Sequence, residues 1–128
     1  MIIAAQIFAA LAALLHVVFF VFESVLWTRP AIFGRFGIKS QADANIIRPM
    51  AYNQGFYNLI LAIGVVVGIV LLAQDGDYFV AGKAIVIFGT ACMAFAGIIL
   101  ATTGRRYLQS SLIQFVPAAV ALILTSLT

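Results

Sequence analysis

Charged residues are scarce in this sequence, and their scarcity decides the class of protein. Only 9% of the 128 residues are charged, whereas 65% are hydrophobic; a soluble domain is about half apolar and about a quarter charged. The composition therefore excludes an ordinary soluble domain and indicates an integral membrane protein. Basic residues outnumber acidic ones by seven to four, but they form no continuous stripe, so we predict no nucleic-acid partner.

Cysteine and histidine are nearly absent. The single cysteine, Cys92, excludes an intrachain disulfide and a multi-cysteine metal site, and its apolar surroundings favour a small buried side chain. The single histidine, His16, has no second histidine with which to share a metal ion. We therefore predict no metal ligands, and the sequence indicates no particular cofactor.

Long apolar runs, by contrast, are abundant. A helix that crosses the hydrocarbon core needs about 20 mostly apolar residues, and we predict four spans, at about residues 2–27, 50–73, 83–104 and 110–127. The first run is longer than a signal peptide and lacks a basic start, so we expect it to be retained. The predicted fold is all-α, a bundle of four transmembrane helices in one membrane domain, residues 1–128.

The basic residues are divided unevenly between the predicted loops. Six of the seven lie in the loops after spans one and three, and only Lys83 ends the loop after span two, which carries Asp75 and Asp77. Since cytoplasmic loops are enriched in Lys and Arg, we predict that both termini lie outside. The same bias argues against a protein that inserts in both orientations.

The loop between spans one and two mixes apolar and basic residues in "RPAIFGRFGIK", from Arg29 to Lys39. This composition suits a segment in the lipid headgroup layer, so we predict an amphipathic interfacial loop or short helix. Ser40 and Asp43 then resemble a capping box that opens a short helix toward Pro49. We expect Pro49 to kink the chain where span two begins.

Polar side chains recur in the cytoplasmic half of three predicted spans. Counted from the nearest basic residue at about 1.5 Å per residue, Glu23 lies about 9 Å deep and His16 about 19 Å deep in span one. The other polar side chains lie about 8 to 15 Å deep. They are Asn53, Gln54, Tyr57 and Asn58 in span two, and Gln114 in span four.

These seven residues are the predicted ligand-binding site. His16 and Glu23 lie within about 20° of one helix line, and the span-two residues pair at a spacing of four. Because lipid would leave amides unsatisfied at a cost of several kcal/mol each, we expect this stripe to face the bundle interior. Glu23 could then snorkel, be protonated, or hydrogen-bond to Gln54 and Asn53. The alternative is purely structural: interhelical hydrogen bonds, worth about 0.6 kcal/mol on average.

Small and aromatic residues complete the pattern. Small residues recur four apart, as in Gly64 and Gly68 and again in Gly97 and Ala101, and predict close helix packing within the chain or between two chains. Aromatic residues near the predicted span ends are typical of the belts at membrane surfaces. They are Trp27, Tyr52, Tyr78 and Tyr107.

Several segments occur in an order that resembles a known family. They are "LHVVFFVFESVLWTRP" (15–30), "FG" (36–37), "NQGFYN" (53–58), "LAIG" (61–64) and "QFVPAAVAL" (114–122). The chain resembles a family of small bacterial four-span membrane proteins classed as a domain of unknown function. The resemblance covers nearly the whole chain and implies a bacterial cytoplasmic (inner) membrane location, but it implies no activity.

Three functions fit these observations. The first is binding or transport of a small amphiphilic or lipophilic ligand, or a lipid, with Glu23 as a proton or cation site. Four spans with one acid in the first resemble small multidrug exporters, but in architecture only. The second is an accessory subunit of a membrane complex, or a homo-oligomer. The third is an enzyme with His16 as general acid or base and Glu23 positioning it. His16 and Glu23 are about 10.5 Å apart along the helix, which is too far for a direct hydrogen bond. We predict the first, without enzymatic activity.

Overall fold

The chain is all-helical. The computed structural model describes residues 1–128 and contains no strand. Its helices are α1 (Ile2–Phe20), α2 (Pro30–Phe33), α3 (Gln41–Leu72), α4 (Asp77–Thr102) and α5 (Leu108–Ser126). A π-helical turn, Val21–Val25, continues α1, and 3₁₀ turns occupy Gly34–Phe36 and Arg105–Tyr107.

Four helical segments are long and apolar enough to cross a membrane. They are Ile2–Val25, Gln41–Leu72, Asp77–Thr102 and Arg105–Ser126. The predicted all-α fold with four candidate spans is therefore confirmed, and the chain has the character of a multi-pass membrane protein. A short helix, α2, lies between the first two spans, as expected.

The second span begins earlier than predicted. Residues from Gln41 onward form one helix that continues through Pro49. The prediction of a separate short helix before Pro49 is therefore wrong. Proline removes only one helical hydrogen bond, the one that would end on the carbonyl of Asn45, so the rest of the helix keeps its hydrogen bonding. The start is capped as predicted: the Ser40 hydroxyl accepts from the Asp43 N–H at 3.0 Å and donates to the Asp43 carboxyl group at 2.7 Å.

This cap gives a first testable prediction. Ser40→Ala leaves the N–H of Asp43 without its acceptor and should lower the free energy of unfolding by about 1 kcal/mol. Ser126→Ala is the control, because the Ser126 hydroxyl only bonds back to the Leu122 carbonyl within α5. The midpoint of unfolding in mixed detergent micelles, followed by circular dichroism, measures both; equal midpoints for the two variants would contradict the prediction.

The chain forms two compact units. We call His16–Leu61 the central unit, and Met1–Leu15 together with Ala62–Thr128 the terminal unit. In the terminal unit, a β-carbon on Gly68 would lie 2.8 Å from Val86, and one on Gly97 would lie 3.0 Å from Phe115. Gly68 and Gly97 therefore let helices within the chain approach closely, as predicted, whereas a β-carbon on Gly64 would meet no atom within 4 Å. The single membrane domain stays a prediction.

In the central unit, the segment after the first span folds against the start of α3. Trp27, Phe33, Ala44 and Ala51 form a buried cluster, and the Trp27 indole N–H donates to the Ala44 carbonyl at 2.8 Å. Trp27 is only 4% exposed, so placing it in an aromatic belt was wrong: its N–H has found an acceptor within the protein. We call residues 27–51 the cap.

Several apolar residues of the cap itself, which were expected to face the headgroups, are buried within it. Ile32 and Phe33 are buried, and Phe36 and Ile38 are partly buried against the Trp27 cluster. Burial within the protein removes the need for lipid to cover these side chains. These four side chains are therefore not the ones that would contact lipid headgroups; exposed residues of the cap would do so.

Candidate functional site

The first span ends in an irregular turn that carries its acidic residue. In the π-helical turn Val21–Val25, the N–H of Leu26 donates to the carbonyl of Val21 at 2.9 Å, five residues back. Such turns are rare and are often found at functional sites. The extra residue changes the direction of the side chains that follow, and Glu23 lies at its centre. Nothing in the sequence "VFESV" signals this irregularity.

Glu23 is paired with one amide of the second span. The Asn58 side-chain N–H donates to the Glu23 carboxyl group at 2.7 Å, and both residues are 9% exposed. The structure thus brings together two of the predicted site residues, from α3 and from the end of the first span. The partners considered from the sequence were Gln54 and Asn53, and this detail was wrong.

A glycine allows the two segments to approach closely at this point. A β-carbon on Gly55 would lie 2.1 Å from the Ser24 hydroxyl and 3.1 Å from the Glu23 β-carbon. The Ser24 hydroxyl donates to the Tyr52 carbonyl at 2.9 Å, so it ties the π-helical turn to α3 beside the Glu23–Asn58 pair. Sequence reasoning missed both Gly55 and Ser24.

The other polar residues of span two do not face inward. Asn53, Gln54 and Tyr57 are exposed, and Tyr57 is 64% exposed. The expectation that their whole stripe faces the interior is therefore wrong for these three and holds for Asn58. Small residues occupy the inward face of α3, and a face on which backbones approach closely has little room for longer side chains.

His16 and Gln114 lie outside this pair. His16 is 1% exposed, and its ring meets the edge of Phe19 at a centroid distance of 5.5 Å. Gln114 belongs to the terminal unit, where its amide donates to the Met93 carbonyl at 3.4 Å and links α5 to α4. A second link between these helices, from the Ser111 hydroxyl to the Gly97 carbonyl at 2.7 Å, was not foreseen.

The Glu23 carboxyl group accepts one hydrogen bond from a side chain. An ionised carboxylate offers several acceptor positions, and here a single hydrogen bond from a neutral amide reaches it. No group of three or more His, Cys, Asp or Glu side chains is placed to hold a metal ion. Two shallow grooves on the surface are lined by other residues, so the pocket expected around Glu23 stays a prediction.

Comparison with known proteins places the chain in a family without adding an activity. The profile of one family, described as a protein of unknown function, matches residues 10–126, a stretch that includes the Glu23–Asn58 pair. No curated protein and no solved structure matches the chain. Its function has therefore to be inferred from the site itself.

Proposed function

The chain belongs to the DUF1304 family of proteins of unknown function, and from the geometry of its polar pair we propose that it binds a small amphiphilic molecule within the membrane. The polar head of the ligand lies at Glu23, with Asn58 orienting the carboxyl group. The apolar part lies among the surrounding aliphatic and aromatic side chains. Transport of the same ligand is the fuller form of this proposal.

One observation carries the proposal: a buried carboxyl group in a span, with a neutral partner. Ionisable side chains within membrane spans are costly and are usually kept for a ligand, an ion or a proton. Ionisable residues in spans commonly pair with one another, whereas Glu23 receives a hydrogen bond from the neutral amide of Asn58. An uncompensated acid best fits a ligand whose head is positively charged.

A lipophilic cation of defined shape tests this proposal. Tetraphenylphosphonium should bind to the purified protein, and Glu23→Gln should weaken its binding at least tenfold, because losing about 1.4 kcal/mol of attraction changes an affinity by that factor. Glutamine keeps the size of the side chain and an oxygen for Asn58 to donate to. Isothermal titration in detergent measures both affinities.

The matched control for this experiment is tetraphenylborate, which has the same shape and the opposite charge. It should bind equally weakly to the wild-type protein and to Glu23→Gln. If the cation and the anion bind alike, or if Glu23→Gln retains full affinity for the cation, then Glu23 does not recognise a cationic head and the proposal fails.

Coupling of ligand binding to proton exchange at Glu23 would make the protein a carrier. If Glu23 exchanges a proton for the ligand, an imposed proton gradient should drive tetraphenylphosphonium uptake into proteoliposomes. Glu23→Gln should then abolish driven uptake while leaving passive leakage unchanged. Uptake that ignores the gradient in the wild-type protein, with binding intact, would restrict the function to binding.

We further propose that the protein lies in a bacterial inner membrane with both termini outside and the cap in the cytoplasm. Six of the seven basic residues lie in the loops assigned to the cytoplasm. In a Cys92→Ala background, a cysteine at Thr128 should react with a membrane-impermeant maleimide in intact cells, and one at Lys39 should react only after lysis. The reverse pattern would overturn this orientation.

A second candidate function is that of a subunit in a larger membrane assembly. It is favoured by the exposed side chains of Asn53, Gln54 and Tyr57 on α3, since amides that lipid leaves unsatisfied can hydrogen-bond to a partner helix. Co-purification of a stoichiometric partner in mild detergent, reduced by Tyr57→Leu, would support it. Unchanged recovery of a partner-free chain would count against it.

A further inference from the structure

The cap carries a surplus of positive charge on its surface. Four basic residues and only one acidic residue, Asp43, lie within it, and all five are exposed. The basic residues are Arg29, Arg35, Lys39 and Arg48. Such clusters beside a membrane span attract anionic lipids electrostatically.

One of these charges is held at the end of the first span. The Arg35 guanidinium lies over the ring of Phe22, 5.5 Å from its centroid, and Phe22 belongs to the span segment Ile2–Val25. A cation over an aromatic face is attracted by the ring quadrupole, and the guanidinium edge stays free to donate hydrogen bonds. The contact therefore holds a guanidinium group, whose geometry matches that of phosphate, at the level where the span ends.

A shallow groove of about 290 Å³ lies on the cap. Its apolar lining comes from Ile38, Ile46 and Ile47, with Lys39 and Asp43 among the remaining residues. On the same helix, Ile46 is 75% exposed and Met50 is 73% exposed. Ile46 and Met50 lie about one helical turn apart, and Ile46 lines the groove together with Lys39, so the cap combines apolar and basic groups as segments at the headgroup layer do.

We propose that the cap is a binding surface for the headgroups of anionic phospholipids. Lys39, Arg48 and Arg35 bind the phosphate groups, Ile46 lies among the headgroups, and Met50 reaches into the upper part of the acyl layer. The charge of the surface is complementary to this partner, and α3 runs without interruption from the cap into the second span, which carries the surface to the membrane. This site is separate from the ligand site at Glu23.

The test titrates the full-length protein in detergent with short-chain phosphatidylglycerol or phosphatidylcholine and counts bound lipids by native mass spectrometry. Lys39→Gln combined with Arg48→Gln should weaken phosphatidylglycerol binding about 25-fold, because each basic residue near an anionic surface contributes about 1 kcal/mol, or about fivefold. Phosphatidylcholine binding should change little. Trp27, the only tryptophan, reports through its fluorescence that the cap remains folded.

A matched variant keeps the result specific. Lys83→Gln removes a charge from the loop predicted to lie on the other side of the membrane and should leave phosphatidylglycerol binding unchanged. A loss for Lys83→Gln as large as that for the double variant, or equal binding of the two lipids to the wild-type protein, would overturn the proposal. So would efficient disulfide cross-linking through Met50→Cys in a Cys92→Ala background, which would show that a second copy covers this surface.

Discussion

Gly82→Ala should lower the free energy of unfolding by about 3 kcal/mol, at the upper end of the usual cost of overpacking. A β-carbon on Gly82 would lie 2.4 Å from the Leu72 nitrogen, 2.7 Å from the Leu71 carbonyl carbon and 2.8 Å from the Gly68 oxygen. All three are main-chain atoms, so no flexible side chain can move aside. The last turn of α3 would have to separate from α4.

Gly64→Ala is the matched control, with the opposite expected sign. A β-carbon there would meet no atom within 4 Å, and alanine is favoured over glycine in a helix by about 1 kcal/mol. Gly64→Ala should therefore leave stability unchanged or raise it by up to that amount. Unfolding midpoints in mixed micelles compare the two variants. A Gly82→Ala protein as stable as the wild type would show that the two helices do not approach as closely as the structure has them.

These two glycines also mark a limit of sequence reasoning. The spacing of Gly64 and Gly68 predicts close packing for both residues, yet only Gly68 meets a neighbouring helix. Gly82, which belongs to no small-residue repeat noted in the sequence, makes the tightest approach to the main chain of another helix. Spacing along one helix identifies candidates for contact. Which candidate touches depends on where the partner helix crosses, and a single helix does not specify that.

The polar site was predictable to a similar extent. Depth counted from the basic residues places Glu23 and Asn58 in the same part of the membrane, and they hydrogen-bond. The choice among four polar residues on α3 depends on which face is buried. Ala44, Ala51 and Asn58, seven residues apart in sequence, share that face, because seven residues complete nearly two helical turns. These alanines, together with Gly55, could have indicated Asn58.

The four spans were the most predictable feature, because an apolar run of sufficient length depends on its own composition alone. The cap was the least predictable. Its fold depends on contacts between Trp27 and Ala44, seventeen residues apart, and on a helix that passes through Pro49. Both depend on tertiary packing, which overrides the local tendency of proline to end a helix.

The second large effect concerns the hydrogen bond between Glu23 and Asn58. Asn58→Leu should lower the free energy of unfolding by about 2 to 3 kcal/mol, because the buried carboxyl group of Glu23 loses its donor. Glu23→Leu should cost somewhat less, since only an amide is then left unpaired and an acid is removed from the span. The midpoint of unfolding in mixed micelles measures each variant.

Replacing both residues by leucine should restore most of the stability, because no buried polar group is then left unpaired. The double variant should thus be more stable than the sum of the single changes predicts, by a coupling energy of about 1 to 3 kcal/mol. Additive losses would mean that the 2.7 Å contact contributes nothing to folding. Gln114→Leu in the terminal unit serves as an uncoupled reference.

The same double variant separates a structural role from a ligand-binding one. If the pair serves only to join the π-helical turn to α3, the leucine pair replaces it and the protein keeps every property of the wild type. If Glu23 recognises a cationic head, the folded double variant no longer binds tetraphenylphosphonium, because its charge partner is gone while the fold remains. Retained binding would therefore reject the proposed function and leave the hydrogen bond as a structural contact in a membrane span.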